Sequence, residues 1–208
     1  MKLEAVLLGE GLTEQIVMPI FLQRCIHHFE KYADVTIIEF IESPATKDAT
    51  LLCLLRKTYL KYSTRSPADI LLVGRDNDNK QKHLPHDEKH TKKAETGCFF
   101  CKLKQEIEEI QKSSWLPRKI PAIIFVPVEA IESWLLYPKE LFPEKLTRFE
   151  AKNKLCGTLR LTRQIIEKYH KPLAEAIDIQ ALRKNVKSFD LFFLQVKTFM
   201  KQLGNEGL

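Results

Sequence analysis

The sequence predicts an α/β fold in which a mostly parallel β-sheet is flanked by helices and followed by a helical C-terminal extension. In the first half of the chain, short apolar runs alternate with segments of helical periodicity. Continuous apolar strands are typical of a parallel sheet that is covered on both faces. After Ala130 almost all signals are helical. We therefore expect an α/β domain over residues 1–140 and a helical extension over residues 141–208 that packs on it.

Four short apolar runs are predicted to be the strands of this sheet. In chain order they are Leu3 to Leu8, Val35 to Ile41, Ile70 to Val73 and Ala122 to Val126. The first run ends at Gly9-Glu10-Gly11 and is followed by apolar residues at helical spacing, which predicts a strand, a turn and a helix. A second amphipathic helix begins near Asp48. The polar segment 80–97 is predicted to be a long exposed loop.

The second half of the chain is predicted to contain four helices. They span Glu129 to Tyr137, Leu159 to Tyr169, Pro172 to Lys184 and Ser188 to Leu203. The last of these helices has one strongly apolar face, which indicates that it packs against the rest of the protein.

Composition and charge restrict the class of protein. No apolar run approaches the roughly 20 residues that a bilayer span requires, so we expect no membrane association. The N-terminal apolar stretch is too short for a signal peptide. Together with an odd number of cysteines, five, this favours reduced thiols and a cytoplasmic location. The net charge of +6 is compatible with nucleic-acid binding and equally with a role in solubility alone.

Acidic residues follow two of the predicted strands. Glu10 comes after the first strand, and Asp76 and Asp78 come after the third. Because the carboxyl ends of parallel strands meet at one edge of a sheet, these carboxylates are expected to lie together. Hard oxygen ligands of this kind suit Mg²⁺ or Mn²⁺. The alternative is that the aspartates only form a turn and that Glu10 is an ordinary polar residue before a helix.

These segments resemble a known family. Gly9-Glu10-Gly11-Leu12-Thr13-Glu14 and Asp76-Asn77-Asp78 resemble the Glu-Gly and Asp-x-Asp pattern of TOPRIM domains. The stretch from Val128 to Leu135 is similar to a motif of small TOPRIM-like bacterial proteins, which are related to the nuclease domain of the overcoming-lysogenisation-defect family. The resemblance implies a compact parallel α/β sheet and metal-assisted phosphoryl chemistry. Glu10 would be the acid/base or metal-binding glutamate, and Asp76 and Asp78 the metal-binding pair.

Further residues are candidates for the same site. Glu132 and Glu129 lie three residues apart on a predicted helix, and of the two Glu132 is the preferred ligand for a second ion. Glu14 lies in the first turn of a helix, where an acidic side chain is favoured by the helix dipole whatever its function. Arg75 directly precedes the aspartates, and it would either neutralise a carboxylate or contact a nucleic-acid phosphate.

A second metal site is predicted in the polar loop. Histidines 83, 86 and 90 precede a Cys-x₂-Cys pair, and the candidate ligands for a structural Zn²⁺ are His86, His90, Cys98 and Cys101. Tetrahedral ligation by nitrogen and sulfur would order a loop that has no core of its own. The alternative is a solvated loop followed by a helix with buried cysteines.

The sequence therefore predicts a metal-dependent nuclease that acts on nucleic-acid phosphodiesters. Cleavage of DNA is the hypothesis for the reaction. The resemblance further implies a role in bacterial antiviral defence with a separate ATPase subunit as a partner. Two alternatives stay open at this point. One is a non-catalytic regulatory subunit that binds nucleic acid or a protein partner, and the other is a small-nucleotide phosphohydrolase that uses the same ions.

Overall fold

A four-stranded, all-parallel sheet forms the centre of the protein in the computed structural model. The structure describes residues 1–30, 32–43, 48–64, 68–76, 99–127, 130–140 and 143–206. The strands are β1 (Lys2–Gly9), β2 (Asp34–Glu42), β3 (Ile70–Gly74) and β4 (Ala122–Phe125). They are arranged in the order β2-β1-β3-β4. This confirms the predicted α/β class with a parallel sheet flanked by helices, and it is consistent with a TOPRIM-like fold.

The described helices lie between the strands and after β4. They are α1 (Leu12–His27), α2 (Asp48–Thr64), α3 (Phe99–Lys112), α4 (Ile131–Leu136), α5 (Arg148–Cys156), α6 (Arg163–Ile165), α7 (Lys171–Ala176), α8 (Ile179–Asn185) and α9 (Lys187–Glu206). A short 3₁₀ turn spans Pro143–Lys145, and a π-helical turn over Ile166–His170 joins α6 to α7. None of the helices in the described ranges combines the length and apolar character needed to span a bilayer.

The sheet separates two apolar layers because successive side chains of a strand point to opposite faces. On one face, Leu7 of β1 and Leu72 of β3 pack with α1, α4 and the C-terminal helices. On the other face, Leu8 and Val73 pack with α2 and α3. The predicted C-terminal extension is therefore part of the same apolar layer as α1, although the predicted domain boundary at residue 140 stays a prediction.

The outer edge of β4 is covered by a side chain of α9. Gln195 accepts a hydrogen bond from the backbone N–H of Ile124 through Oε1, and it donates one to the carbonyl oxygen of Ile124 through Nε2, both at 2.9 Å. The amide side chain thus satisfies the two polar backbone groups that a neighbouring strand would satisfy. This pair of bonds fixes α9 against the sheet.

Gly74, the last residue of β3, allows a close approach between two strands. A Cβ atom at this position would lie only 1.7 Å from the carbonyl oxygen of Phe125. No side chain larger than hydrogen fits there without a shift of the backbone. Arg75 and Asp76 directly follow Gly74 in the chain, so the close approach of β3 to β4 determines the position of their backbone.

Several predicted helix boundaries are wrong. Helix α4 begins at Ile131, so Glu129 precedes it and lies outside the described residues. Helix α5 was not predicted, although Thr147 and Glu150 form a capping box at its start. The helices predicted before and after Pro172 are joined through the π-helical turn, and the chain instead breaks at Asp178, which caps α8.

Candidate metal centre

Three carboxylates converge at the carboxyl edge of the sheet. One oxygen from each of Glu10, Glu14 and Asp76 lies within 4.8 Å of the corresponding oxygens of the other two. Glu10 follows β1, Glu14 lies in the first turn of α1, and Asp76 follows β3. All three side chains are almost completely buried. The predicted proximity of Glu10 and Asp76 is therefore present in the structure.

The local backbone explains why these side chains meet. Strands β1 and β3 are parallel neighbours, so the residues that follow them emerge at the same edge. Gly11 is the N-cap of α1 in an extended conformation, and it turns the chain from β1 into the helix within two residues. The first helical turn then brings Glu14 back toward Glu10.

The carboxylate of Asp76 also reaches the next helix. Its Oδ1 atom accepts a hydrogen bond of 2.9 Å from the backbone N–H of Ile131, the first residue of α4. The N-cap of this helix is Ala130, whose side chain forms no capping hydrogen bond. Asp76 thus caps α4 although it lies after β3, while its Oδ2 atom lies near the guanidinium of Arg148.

Glu132 forms a second, adjacent part of the centre. Its Oε1 atom accepts a hydrogen bond of 3.5 Å from the hydroxyl of Thr13 and lies 3.7 Å from Nε2 of His170. Its Oε2 atom is buried and has no hydrogen-bond partner among the residues that the structure describes. A buried carboxylate oxygen without a hydrogen bond is costly, and a bound cation would offset this cost.

Two arginines approach the carboxylates. Arg75 Nε lies 3.8 Å from Glu10 Oε1, and the guanidinium stacks over the ring of Phe99 at 4.3 Å. Arg148, at the start of α5, places Nη2 3.8 Å from Glu10 Oε2 and Nε 3.7 Å from Asp76 Oδ2. The carboxylates are thus partly neutralised by guanidinium groups, but all these separations exceed the length of a charge-assisted hydrogen bond.

Burial and mutual repulsion change the ionisation of the acidic groups. Burial, together with the negative charges of Glu132 and Glu10, raises the pKa of Glu14 to about 8. Burial and the charges of Glu14 and Glu132 likewise raise the pKa of Asp76 well above its ordinary value, against the opposing effect of Arg148. Additional positive charge at this position would favour the ionised forms.

The pKa of Glu132 is shifted in the opposite direction. Burial acts to raise it, but the imidazole of His170 and the positive charge of Lys152 outweigh burial, and the pKa lies below its ordinary value. Glu132 therefore carries its negative charge more readily than Glu14 and Asp76 do.

The donor set suits a hard divalent cation. Oxygen ligands of Mg²⁺ lie about 2.1 Å from the ion, so two of them are about 3.0 Å apart in adjacent positions and about 4.2 Å apart in opposite positions. The three oxygens, which lie within 4.8 Å of one another, would have to move closer together before all of them bind one ion. Carboxylate groups of this kind suit Mg²⁺ or Mn²⁺ better than a soft metal.

Several predicted site residues lie outside the described residues: Asp78, Glu129, His86, His90 and Cys98. The proposed zinc site therefore stays a prediction. Its fourth candidate ligand, Cys101, is buried on α3. Glu14, which ranked below the aspartates from sequence, lies within the cluster, and Glu132 lies beside it.

Three residues near the centre were not identified from sequence. Arg148 and Lys152 belong to α5, and His170 is fully buried at the end of the π-helical turn. The Thr-x-x-Glu sequence at 147–150 is a signal that predicts a helix start, and it would have placed Arg148 and Lys152 on one helical face. No local signal pairs His170 with Glu132, because their contact depends on the packing of two distant segments.

Comparisons of the chain with protein-family models, with curated proteins and with solved structures give no significant match.

Proposed function

We propose that this chain is a divalent-metal-dependent nuclease of the TOPRIM type, which acts on phosphodiester bonds of nucleic acid. The observation that supports this most directly is the convergence of Glu10, Glu14 and Asp76 at the carboxyl edge of a parallel sheet. This edge is where α/β proteins commonly bind their ligands. The sequence resemblance to TOPRIM domains rests on the same residues.

The energetics of the cluster favour a cation as its ligand. Ionised carboxylates that are buried next to each other repel one another and lose their hydration. The raised pKa values of Glu14 and Asp76 express this cost. A purely structural role does not explain why three acidic side chains, two that follow β1 and β3 and one from α1, lie together in a buried position.

The roles of the residues follow from their positions. Glu10, Glu14 and Asp76 would hold Mg²⁺ or Mn²⁺, and Glu132 would add a ligand through its Oε2 atom. A bound ion of this type supplies an activated water and stabilises negative charge on a phosphate. His170 and Thr13 hold Oε1 of Glu132 and thereby orient the side chain. Arg75 keeps the Glu10 carboxylate in place from the protein side. Asp78 is retained as a proposed ligand from the sequence pattern.

The net charge of the chain is consistent with a polyanionic substrate. An overall charge of +6 attracts phosphate backbones, while the acidic cluster is confined to one buried position. Arg148 and Lys152 are one helical turn apart on α5, next to the carboxylates. These cations make the surroundings of the cluster more favourable for a phosphate group.

A cleavage assay tests the proposal. Supercoiled plasmid and single-stranded DNA are incubated with the purified protein over a range of Mg²⁺ and Mn²⁺ concentrations, and with the Glu10→Gln variant. The matched control is Glu108→Gln, which removes an exposed carboxylate on α3. We expect metal-dependent cleavage by the wild type and by the control, and its loss in Glu10→Gln.

Other outcomes contradict the proposal in a defined way. Cleavage that persists in Glu10→Gln, or that does not require a divalent ion, would show that the acidic cluster is not needed for cleavage. Tight metal and DNA binding without turnover would favour the non-catalytic regulatory subunit. Hydrolysis of free nucleotides but not of DNA would favour the small-nucleotide phosphohydrolase. The implied ATPase partner and the role in defence stay predictions from the resemblance.

A further inference from the structure

We infer that Arg148 exchanges between two positions: it is the counter-ion of Glu10 and Asp76 in the metal-free protein, and it becomes a ligand of the substrate phosphate once a divalent cation binds. This inference rests on the proposed function and adds to it the residue that links metal binding to substrate binding.

The position of Arg148 relative to the carboxylates is the first argument. Its guanidinium lies between two acidic side chains that follow different strands, at 3.8 Å from Glu10 and 3.7 Å from Asp76. Both are members of the three-carboxylate cluster. Charge-assisted N–H···O bonds are about 2.7–2.9 Å long, so these contacts are Coulombic attractions at longer range. The guanidinium therefore provides positive charge at the place where a metal ion would provide it.

A comparison with Arg75 indicates which arginine is able to leave. The Arg75 side chain is only 3% exposed and stacks on Phe99. The Arg148 side chain is 36% exposed and extends from the first residue of α5. Arg75 is thus enclosed by the protein, whereas Arg148 approaches the cluster from the solvent side. A substrate phosphate would arrive from that same side.

A divalent cation would change the balance of charge at these oxygens. Two positive charges on the carboxylates satisfy Glu10 and Asp76 more fully than one guanidinium does, and they repel the guanidinium. The Oε2 atom of Glu132 is buried and has no hydrogen-bond partner among the described residues, so it offers a bound cation one more oxygen. The planar fork of an arginine matches the oxygens of a phosphate, so the displaced side chain has a suitable new partner.

The first test measures metal binding alone. Metal-free wild type and Arg148→Gln are titrated with Mn²⁺ by calorimetry. Removal of the competing guanidinium is expected to raise the Mn²⁺ affinity by on the order of tenfold. The matched control is Arg56→Gln, which removes an exposed guanidinium from a different buried carboxylate, that of Glu106 on α3. Its Mn²⁺ affinity should equal that of the wild type.

The second test measures substrate binding. A short fluorescent single-stranded oligonucleotide is bound with and without Ca²⁺, and a gel verifies that it stays intact. The wild type should bind more tightly when Ca²⁺ is present, and Arg148→Gln should lose most of that increase. Arg148→Lys keeps the positive charge, so its Mn²⁺ affinity should stay near that of the wild type. It lacks the planar guanidinium, so only part of the Ca²⁺-dependent increase in oligonucleotide binding should remain.

The outcomes separate this inference from the proposed function. If Mn²⁺ binds wild type and Arg148→Gln with equal affinity, or binds the variant more weakly, Arg148 does not compete with the metal ion. The inferred exchange of Arg148 is then wrong, while the nuclease proposal stands. If the increase in oligonucleotide binding is unchanged in the variant, the phosphate role is wrong. If Mn²⁺ binds no form of the folded protein, both proposals fail. Circular dichroism verifies that the variants are folded.

Discussion

The side chain of Asp76 accepts a hydrogen bond from the backbone amide of Ile131, and it thereby caps a helix that begins 55 residues later in the chain. The same carboxylate is a member of the acidic cluster through its proximity to Glu10 and Glu14. Asp76 thus combines a structural hydrogen bond with an ionisable group at the acidic cluster. Two substitutions separate these properties.

Asp76→Asn keeps an acceptor oxygen for Ile131 and removes the charge, whereas Asp76→Ala removes both. We expect the alanine variant to be less stable than the asparagine variant by about 1 kcal/mol, the usual effect of losing a helix cap. Both should lose divalent-ion binding. Urea unfolding and Mn²⁺ calorimetry measure the two effects. Equal stability of the two variants would mean that the hydrogen bond to Ile131 contributes nothing.

The acidic cluster predicts how the stability of the metal-free protein depends on pH. The folded-state pKa of Glu14 is about 8, above its ordinary value of 4.5, so folding favours the protonated form. The stabilisation is fully present below pH 4.5 and is lost as the pH rises through about 8. Asp76 is shifted in the same direction.

We therefore expect the free energy of unfolding, measured in EDTA, to decrease between pH 5.5 and pH 8.5. Glu14→Gln should show a smaller decrease, because glutamine carries no charge at either pH. Saturating Mn²⁺ should stabilise the wild type more at pH 8.5 than at pH 5.5, since the ion binds the ionised carboxylates. A wild type and a Glu14→Gln variant with the same slope would contradict this account.

Gly74 is predicted to be intolerant of any side chain. In Gly74→Ala the new Cβ atom would lie 1.7 Å from the carbonyl oxygen of Phe125, so strands β3 and β4 must separate. We expect a loss of stability of several kcal/mol by analogy with overpacked cores, together with weaker metal binding. Gly204→Ala is the control, because a Cβ there meets no atom within 4 Å and a helical alanine is favoured. Denaturant unfolding compares the two, and equal stabilities would refute the prediction.

Gln195 is predicted to be important for the edge of the sheet. Gln195→Leu leaves both polar backbone groups of Ile124 without their partner, which costs about 1–3 kcal/mol for a buried group. Gln202→Leu, at an exposed position of the same helix, should change stability little. Urea unfolding distinguishes them. If the two variants are equally stable, water replaces the side-chain amide without loss.

The sequence was informative where the signal is local. The four strands lie within one or two residues of their predicted positions, because continuous apolar runs are typical of a parallel sheet. The proximity of Glu10 to Asp76 followed from the parallel direction of the predicted strands, whose carboxyl ends meet at one edge. The pairing of Glu132 with His170 did not, because it depends on how α4 packs against a π-helical turn. Helix α5 is short and weakly amphipathic, which is why Arg148 was not placed near the carboxylates.

The cluster is assembled from residues near the start of the chain and from Asp76, with Glu132 still further along. A partly folded chain that lacks the pairing of β1 with β3 therefore has no complete ligand set. Any ion that binds these oxygens recognises the native state alone, and its binding free energy adds to the cooperativity of the whole domain. Metal occupancy would then report directly on the fraction of molecules that have completed folding.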